Sequence, residues 1–154
     1  MTSNSPLHAV EDIAIFNRLA ADASRTLKSE IGLVSIVCDE CQLFLGASGL
    51  SGPLVKAGGT PISHSICAHV RAMERPLVIE NGHVHPLVMH NKAVTELGII
   101  SYLGHPIYNA AQRCIGAVCV ANTRMRRWQN TDVVQLSRIA RMVDREMARL
   151  YEPA

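Results

Sequence analysis

Two apolar runs, Tyr102–Tyr108 and Cys114–Ala121, stand on either side of Asn109–Arg113, whose residues are polar or suited to a turn. The pattern predicts a hairpin with a medium-length loop. The second run, Cys-Ile-Gly-Ala-Val-Cys-Val-Ala, carries no charge. A strand is apolar at successive positions only when both its faces are covered, so this hairpin is expected at the centre of a sheet with a layer on either side. Gly116, inside the run, marks a twist point, the commoner reason for a glycine there, or a close approach by another backbone or a ligand. By two-residue periodicity Cys114 and Cys119 fall on opposite faces.

The rest of the chain divides into what covers that sheet. Ser5-Pro6 is a helix-start signal, and Val10, Ile13, Phe16, Ala20, Ala23 and Leu27 recur at helical steps, predicting an amphipathic helix over 6–28. Gly32 ends it, and two strands, Leu33–Cys38 and Gln42–Ala47, follow around an Asp39-Glu40 turn. Ser48 to Pro61 is rich in glycine and proline, with Lys56 its only charge, and is expected to be a loop with freedom to move. A short helix over Ile66–Met73, capped by Ser63 or Ser65, leads to a strand over Leu77–Glu80 and a second helix over Leu87–Leu97. Thr131 is expected to cap the last helix, over 131–151. Its Leu136, Ala140, Val143, Met147 and Leu150 keep three- and four-residue spacing, while Ile139 and Met142 widen the stripe. Such a helix serves its own sheet, a partner helix, or both.

These elements predict one α+β domain over 1–154, with a mostly antiparallel sheet of about five strands. The terminal helices cover one face, and the middle segment, residues 48–98, covers the other. A length of 154 residues suits a single core. Aromatics make up only 4% of the chain, so that core is aliphatic. The formal net charge of +2 is dispersed, and the short run Arg124, Arg126, Arg127 beside Trp128 reads as a loop entering a helix rather than a nucleic-acid site. No apolar run approaches the ~20 residues of a membrane span, and no export signal stands at the N-terminus, which predicts a cytoplasmic location.

Five cysteines, three of them within apolar runs, read as reduced and buried thiols. Cys38-Asp-Glu-Cys41 has the spacing of half a zinc site but lacks a second ligand pair, so two strand-end thiols are expected there. His83, His85 and His90 read as loop histidines, and no metal site is expected. No nucleophile elbow, phosphate loop or dinucleotide fingerprint is present, and no catalytic residue is assigned.

Several segments, in order, resemble the GAF domain, a small sensory and dimerisation module. They are Cys67-Ala68-His69, Arg75-Pro76-Leu77-Val78-Ile79, His85-Pro86-Leu87-Val88, Gly98-Ile99, Tyr102-Leu103-Gly104-His105-Pro106-Ile107 and Ile115-Gly116-Ala117-Val118-Cys119-Val120. They are similar to the GAF domains of bacterial histidine kinases and cyclases. The chain departs from that pattern at Glu80-Asn81-Gly82, at Ile66 before the cysteine, and at Ile100-Ser101-Tyr102 in place of Arg-Phe-Tyr.

The resemblance implies a five- to six-stranded antiparallel sheet with a pocket under the short helices and loops of the middle segment. It implies a cytoplasmic signal-transduction module that binds an unidentified small molecule there and acts on a signalling partner protein. Ser65, Cys67, His69, Asn91 and Tyr102 are the candidate lining residues. It further implies a homodimer, for which Leu136, Ala140, Val143, Met147 and Leu150 of the last helix are the candidate seam. The scarcity of aromatics argues against bilin and haem, which leaves the cofactor unassigned. Two alternatives accompany this expectation. One is a thiol enzyme of the free methionine sulfoxide reductase type, using Cys38, Cys41 or Cys67; the other is a ligand-free dimerisation scaffold with a filled pocket.

Overall fold

The computed structural model describes residues 10–150, and side chains from residue 14. The Ser5-Pro6 helix start and residue 151 lie outside that range. Helix α1 (Val10–Thr26) presents Phe16, Leu19, Ala20 and Ala23 on one face, and the chain reverses after it at Lys28, whose φ is 51°. Strands β1 (Ile31–Val37) and β2 (Cys41–Ser48) form the first hairpin, and β5 (Ser101–Tyr108) and β6 (Cys114–Asn122) the central one. With β3 (Gly59–Pro61) and β4 (Leu77–Ile79) they make a six-stranded sheet in the order β3-β2-β1-β6-β5-β4, every pair antiparallel. The apolar strand β6 therefore lies inside the sheet, between β1 and β5. Of the two readings of Gly116 the structure has the close approach: the Ser35 carbonyl oxygen of β1 would stand 1.9 Å from an added Cβ.

One face carries α1 and α5 (Asn130–Leu150), whose apolar stripes close over Val34, Leu103, Ile107, Val118 and Val120. The five positions expected as a dimer seam belong to this layer. Leu136, Ala140, Val143 and Met147 are buried in the chain's own core and Leu150 packs against it. That seam is consumed internally, so it is not available to a partner. The first turn of α5 is closed by Asp132, whose Oδ2 accepts the Gln129 amide at 2.8 Å, in place of a Thr131 cap.

The other face carries the middle segment, and here the expected elements change. Residues 48–61 are not a loop: α2 (Gly52–Ala57) runs from Ser51 to a left-handed Gly58, and β3 follows. Pro53 sits at the start of α2, where its missing amide costs nothing. Helix α3 (Cys67–Met73) forms as expected, with Ser65 Oγ accepting the Ala68 amide at 3.1 Å. Leu87–Leu97 is not one helix. Its first part is a series of turns, and only α4 (Lys92–Thr95) is helical, because the Asn91 side chain accepts the Ala93 amide and starts a new helix there.

Two expectations about cysteine are corrected. Cys38 and Cys41 are joined by a disulfide across the β1–β2 turn, where the hairpin holds their Cα atoms 5.2 Å apart. Reduced thiols remain at Cys67, Cys114 and Cys119. Cys114 and Cys119 also share a face. The β5–β6 register slips between Ile107 and Tyr108, leaving Ile115 in a bulge. Ile115 consequently packs with the helical layer, while Cys114 lines a shallow depression with Ala68, Arg71 and Ala72 of α3.

Candidate functional site

A cavity of about 270 Å³ lies between the sheet and the middle segment. Its floor is built by Ile31 and Leu33 of β1, Phe44 of β2, Tyr102 of β5, and Cys119 and Ala121 of β6. Leu50 and Leu54 close one side, and Ala93, Leu97 and Ile99 the other. The wall is mainly aliphatic because each contributing strand presents alternate residues to this face, and the small Ala93 and Ala121 leave the space open.

Polar atoms under the cavity are already paired. Gln42 is the centre: its Oε1 accepts Ser35 Oγ–H at 2.8 Å and Ser65 Oγ–H at 2.9 Å, and its Nε2 donates to Thr60 Oγ1 at 3.0 Å. All four residues are buried, and among the described residues no buried side-chain nitrogen or oxygen is left unpartnered. A guest in this cavity therefore meets satisfied groups on the floor. Its polar contacts fall to the rim, where His64, Glu30 and Thr123 stand. His64 Nε2 is 2.9 Å from Glu96 Oε1, and that hydrogen bond holds the Glu96 carboxyl below its ordinary range. It ties the turn before α3 to α4 across the mouth. Glu30 Oε1 accepts the Thr123 amide and hydroxyl at 3.2 and 2.8 Å.

The model for the GAF domain family matches residues 13–147. The chain belongs to the GAF domain family. No curated protein matches it. Among solved structures, this GAF domain is similar to the blue-light-absorbing form of the PixJ GAF domain of Thermosynechococcus elongatus. The two share 18% identity at a TM-score of 0.73, over 92% of this chain and 87% of the other. It is also similar to a domain assigned to a two-component sensor histidine kinase of Sinorhizobium meliloti, at 17% identity and a TM-score of 0.70 over 95% of each chain. A third similar structure is the free methionine-R-sulfoxide reductase of Neisseria meningitidis, solved with its substrate. Identity there is 15% and the TM-score 0.69, over 88% of this chain and 77% of the other. At these identities the likeness is one of fold.

Of the candidate lining residues, this GAF domain brings Cys67 and Tyr102 to the cavity. Ser65 and Asn91 do not border it, because they hold the frame: Ser65 Oγ serves Gln42 and the amide of Ala68, and Asn91 Nδ2 donates to the Ser65 carbonyl at 3.0 Å. His69, further along α3, is also outside the lining, and burial depresses its imidazole below the ordinary value. The residues missed were Gln42, Thr60 and His64. Gln42 carried a signal, being the one polar residue in an otherwise apolar Cys41–Leu45 strand. Arg126 and Trp128 stack with the guanidinium 4.2 Å from the ring centre, and Arg126 donates to the carbonyls of Leu27 and Lys28. That basic run fastens the end of α1 to the loop before α5.

Proposed function

We propose that this GAF domain is a non-catalytic sensory module that binds a small, largely apolar molecule in the cavity between the sheet and the middle segment. The observation that carries this is the cavity itself, with an aliphatic wall, a floor of satisfied polar atoms and a few polar groups at the rim. Its volume lies near the lower end for ligand sites, which favours a small metabolite over a tetrapyrrole. Binding orders α2 and the segment around His64, and biases the packing of the sheet on α1 and α5, a shift between two populations that a signalling partner protein reads. The sensor-kinase domain of similar fold supports that setting.

The self-association proposed here uses the outer side of α5, where Val134 and Met142 are exposed, in place of the buried seam. A reductase reading gains nothing from Cys38 and Cys41, which sit at a hairpin turn away from the cavity.

The test is native mass spectrometry and absorption spectroscopy of the protein purified from its own host, with Leu33→Trp as the control. A bound mass present in the native protein and absent from the cavity-filled variant supports the module. Identical apo spectra for both, with no ligand from a metabolite library shifting the melting temperature of the native protein, overturn it in favour of a scaffold.

A further inference from the structure

Two of the free cysteines meet on the cavity floor. Cys67 begins α3 and Cys119 lies within β6, and their sulfurs stand 3.7 Å apart, both bordering the cavity. The Tyr102 hydroxyl donates to the Cys67 sulfur at 3.0 Å. Cys67 thus accepts from Tyr102 and shares a thiol hydrogen bond with Cys119. The hydrogen bond shared with Cys119 and, after the opposing effect of burial, that from Tyr102 draw its thiol below the ordinary value. The same contact with Cys67, together with burial, pushes the Cys119 thiol well up. One sulfur is inclined to ionise while its neighbour keeps its proton, which is the division between an attacking and a resolving thiol. Thiols that only fill a core need no donor directed at them.

We infer that Cys67 and Cys119 form a dithiol site whose substrate is a small hydroperoxide, and that it closes as a disulfide tying α3 to the sheet. The Cys67 thiolate attacks one peroxide oxygen and the O–O bond breaks. The departing oxygen leaves as water or an alcohol, carrying the proton released by the Cys67 thiol. Cys67 is then a sulfenic acid. The Cys119 sulfur attacks it, the S–S bond forms, and the sulfenic hydroxyl departs as water with the Cys119 proton. Two thiols are oxidised by two electrons and one peroxide is reduced. Closing the 3.7 Å gap to a bond of about 2.05 Å needs only a small adjustment of the two side chains. The inference rests on the cavity admitting small molecules, as the proposed function does, but it needs no resident ligand.

Cys114 supplies the contrast. It is partly exposed, and burial with the nearby Glu74 pushes its thiol up. Access alone predicts that Cys114 oxidises first, whereas the dithiol predicts Cys67.

In the experiment, the full chain is exposed to stoichiometric hydrogen peroxide, quenched with N-ethylmaleimide and mapped by peptide mass spectrometry. The expected result is a peptide pair linked through Cys67 and Cys119, with Cys114 alkylated. Cys119→Ser, whose hydroxyl can still donate, should stop at a Cys67 sulfenic acid that dimedone captures. Tyr102→Phe should slow oxidation about tenfold, the worth of one hydrogen bond to a developing charge, with an unchanged circular dichroism spectrum. Both cysteines alkylated while Cys114 is oxidised would overturn the inference. If that happens while a small molecule still binds the cavity, the dithiol fails alone. A disulfide that forms in a cavity binding no metabolite retires the ligand-sensing function and leaves the dithiol standing.

Discussion

The ring of Tyr102 lies along its own strand over Gly104, so that a Cβ at Gly104 would stand 2.4 Å from the phenol oxygen. Gly104 faces Cys119 across the β5–β6 ladder, which is how the phenol comes to rest beside the two sulfurs. Replacing Gly104 by alanine pushes the ring into the cavity. The variant should fold, with a loss of about 1–2 kcal/mol in chemical denaturation, because the far end of a side chain can yield where backbone cannot. Its cavity should take up less ligand by native mass spectrometry, and Cys67 should react with peroxide at the Tyr102→Phe rate. Unchanged reactivity would separate the ring position from the thiol.

Gly116 offers no such relief. The atom in the way is the Ser35 carbonyl oxygen, part of the β1–β6 ladder. Gly116→Ala should therefore cost about 3 kcal/mol, roughly twice the cost at Gly104, in the same denaturation experiment. A loss under half of that would mean the ladder bends easily at this point.

Reduction of Cys38–Cys41 should have a limited effect. The bridge closes a loop of only four residues, counting both cysteines (41 − 38 + 1), for which the chain-entropy relation gives about 2 kcal/mol. At about 3 °C per kcal/mol in a chain of this size, the melting temperature should fall by about 6 °C on adding a phosphine reductant, with the far-ultraviolet spectrum unchanged. Cys38→Ser should show the same lower value with and without reductant.

His69 makes a pH dependence testable. Burial lowers its pKa below the ordinary 6.5, so between the two values the native state binds fewer protons than the unfolded chain. The contribution is present above the ordinary value and is lost as the pH falls through the lowered one. His69→Gln should flatten that part of the curve of melting temperature against pH between about pH 8 and about pH 5. Parallel curves would assign the acid sensitivity elsewhere.

If two copies meet on the outer side of α5, Val134→Arg combined with Met142→Arg should dissociate them without lowering the melting temperature of the monomer. Arg138, Arg141 and Arg145 are exposed on the same helix, so added salt should tighten the native dimer by screening like charges. Sedimentation velocity at two salt concentrations reads both effects. A native protein that is monomeric throughout would remove the dimer.

The sheet was legible in the sequence because its signal is physical and local. An uncharged strand belongs at the centre of a sheet covered on both faces, while Gly116 in that strand is open to a twist point as well as a close approach. The helical layer was legible in its spacing but not in its partner, since the stripe from Leu136 to Leu150 looks the same whether it meets its own sheet or another chain. The middle segment was harder. Glycine and proline around residues 49–61 suggest a loop, although Ser51, Pro53 and Gly58 are also the start and stop of a six-residue helix. Ser65 and Asn91 are short polar residues next to helix starts, and such residues serve a backbone amide as readily as a guest. The Ile115 bulge left no trace in the sequence, and with it went the face of Cys114.

The sheet ends in β3 and β4, each three residues long, and β3 closes on Pro61, which has no amide hydrogen. A strand arriving at either margin finds too few donors and acceptors in a row to hold it. The fold is thereby guarded against polymerising edge to edge into fibres.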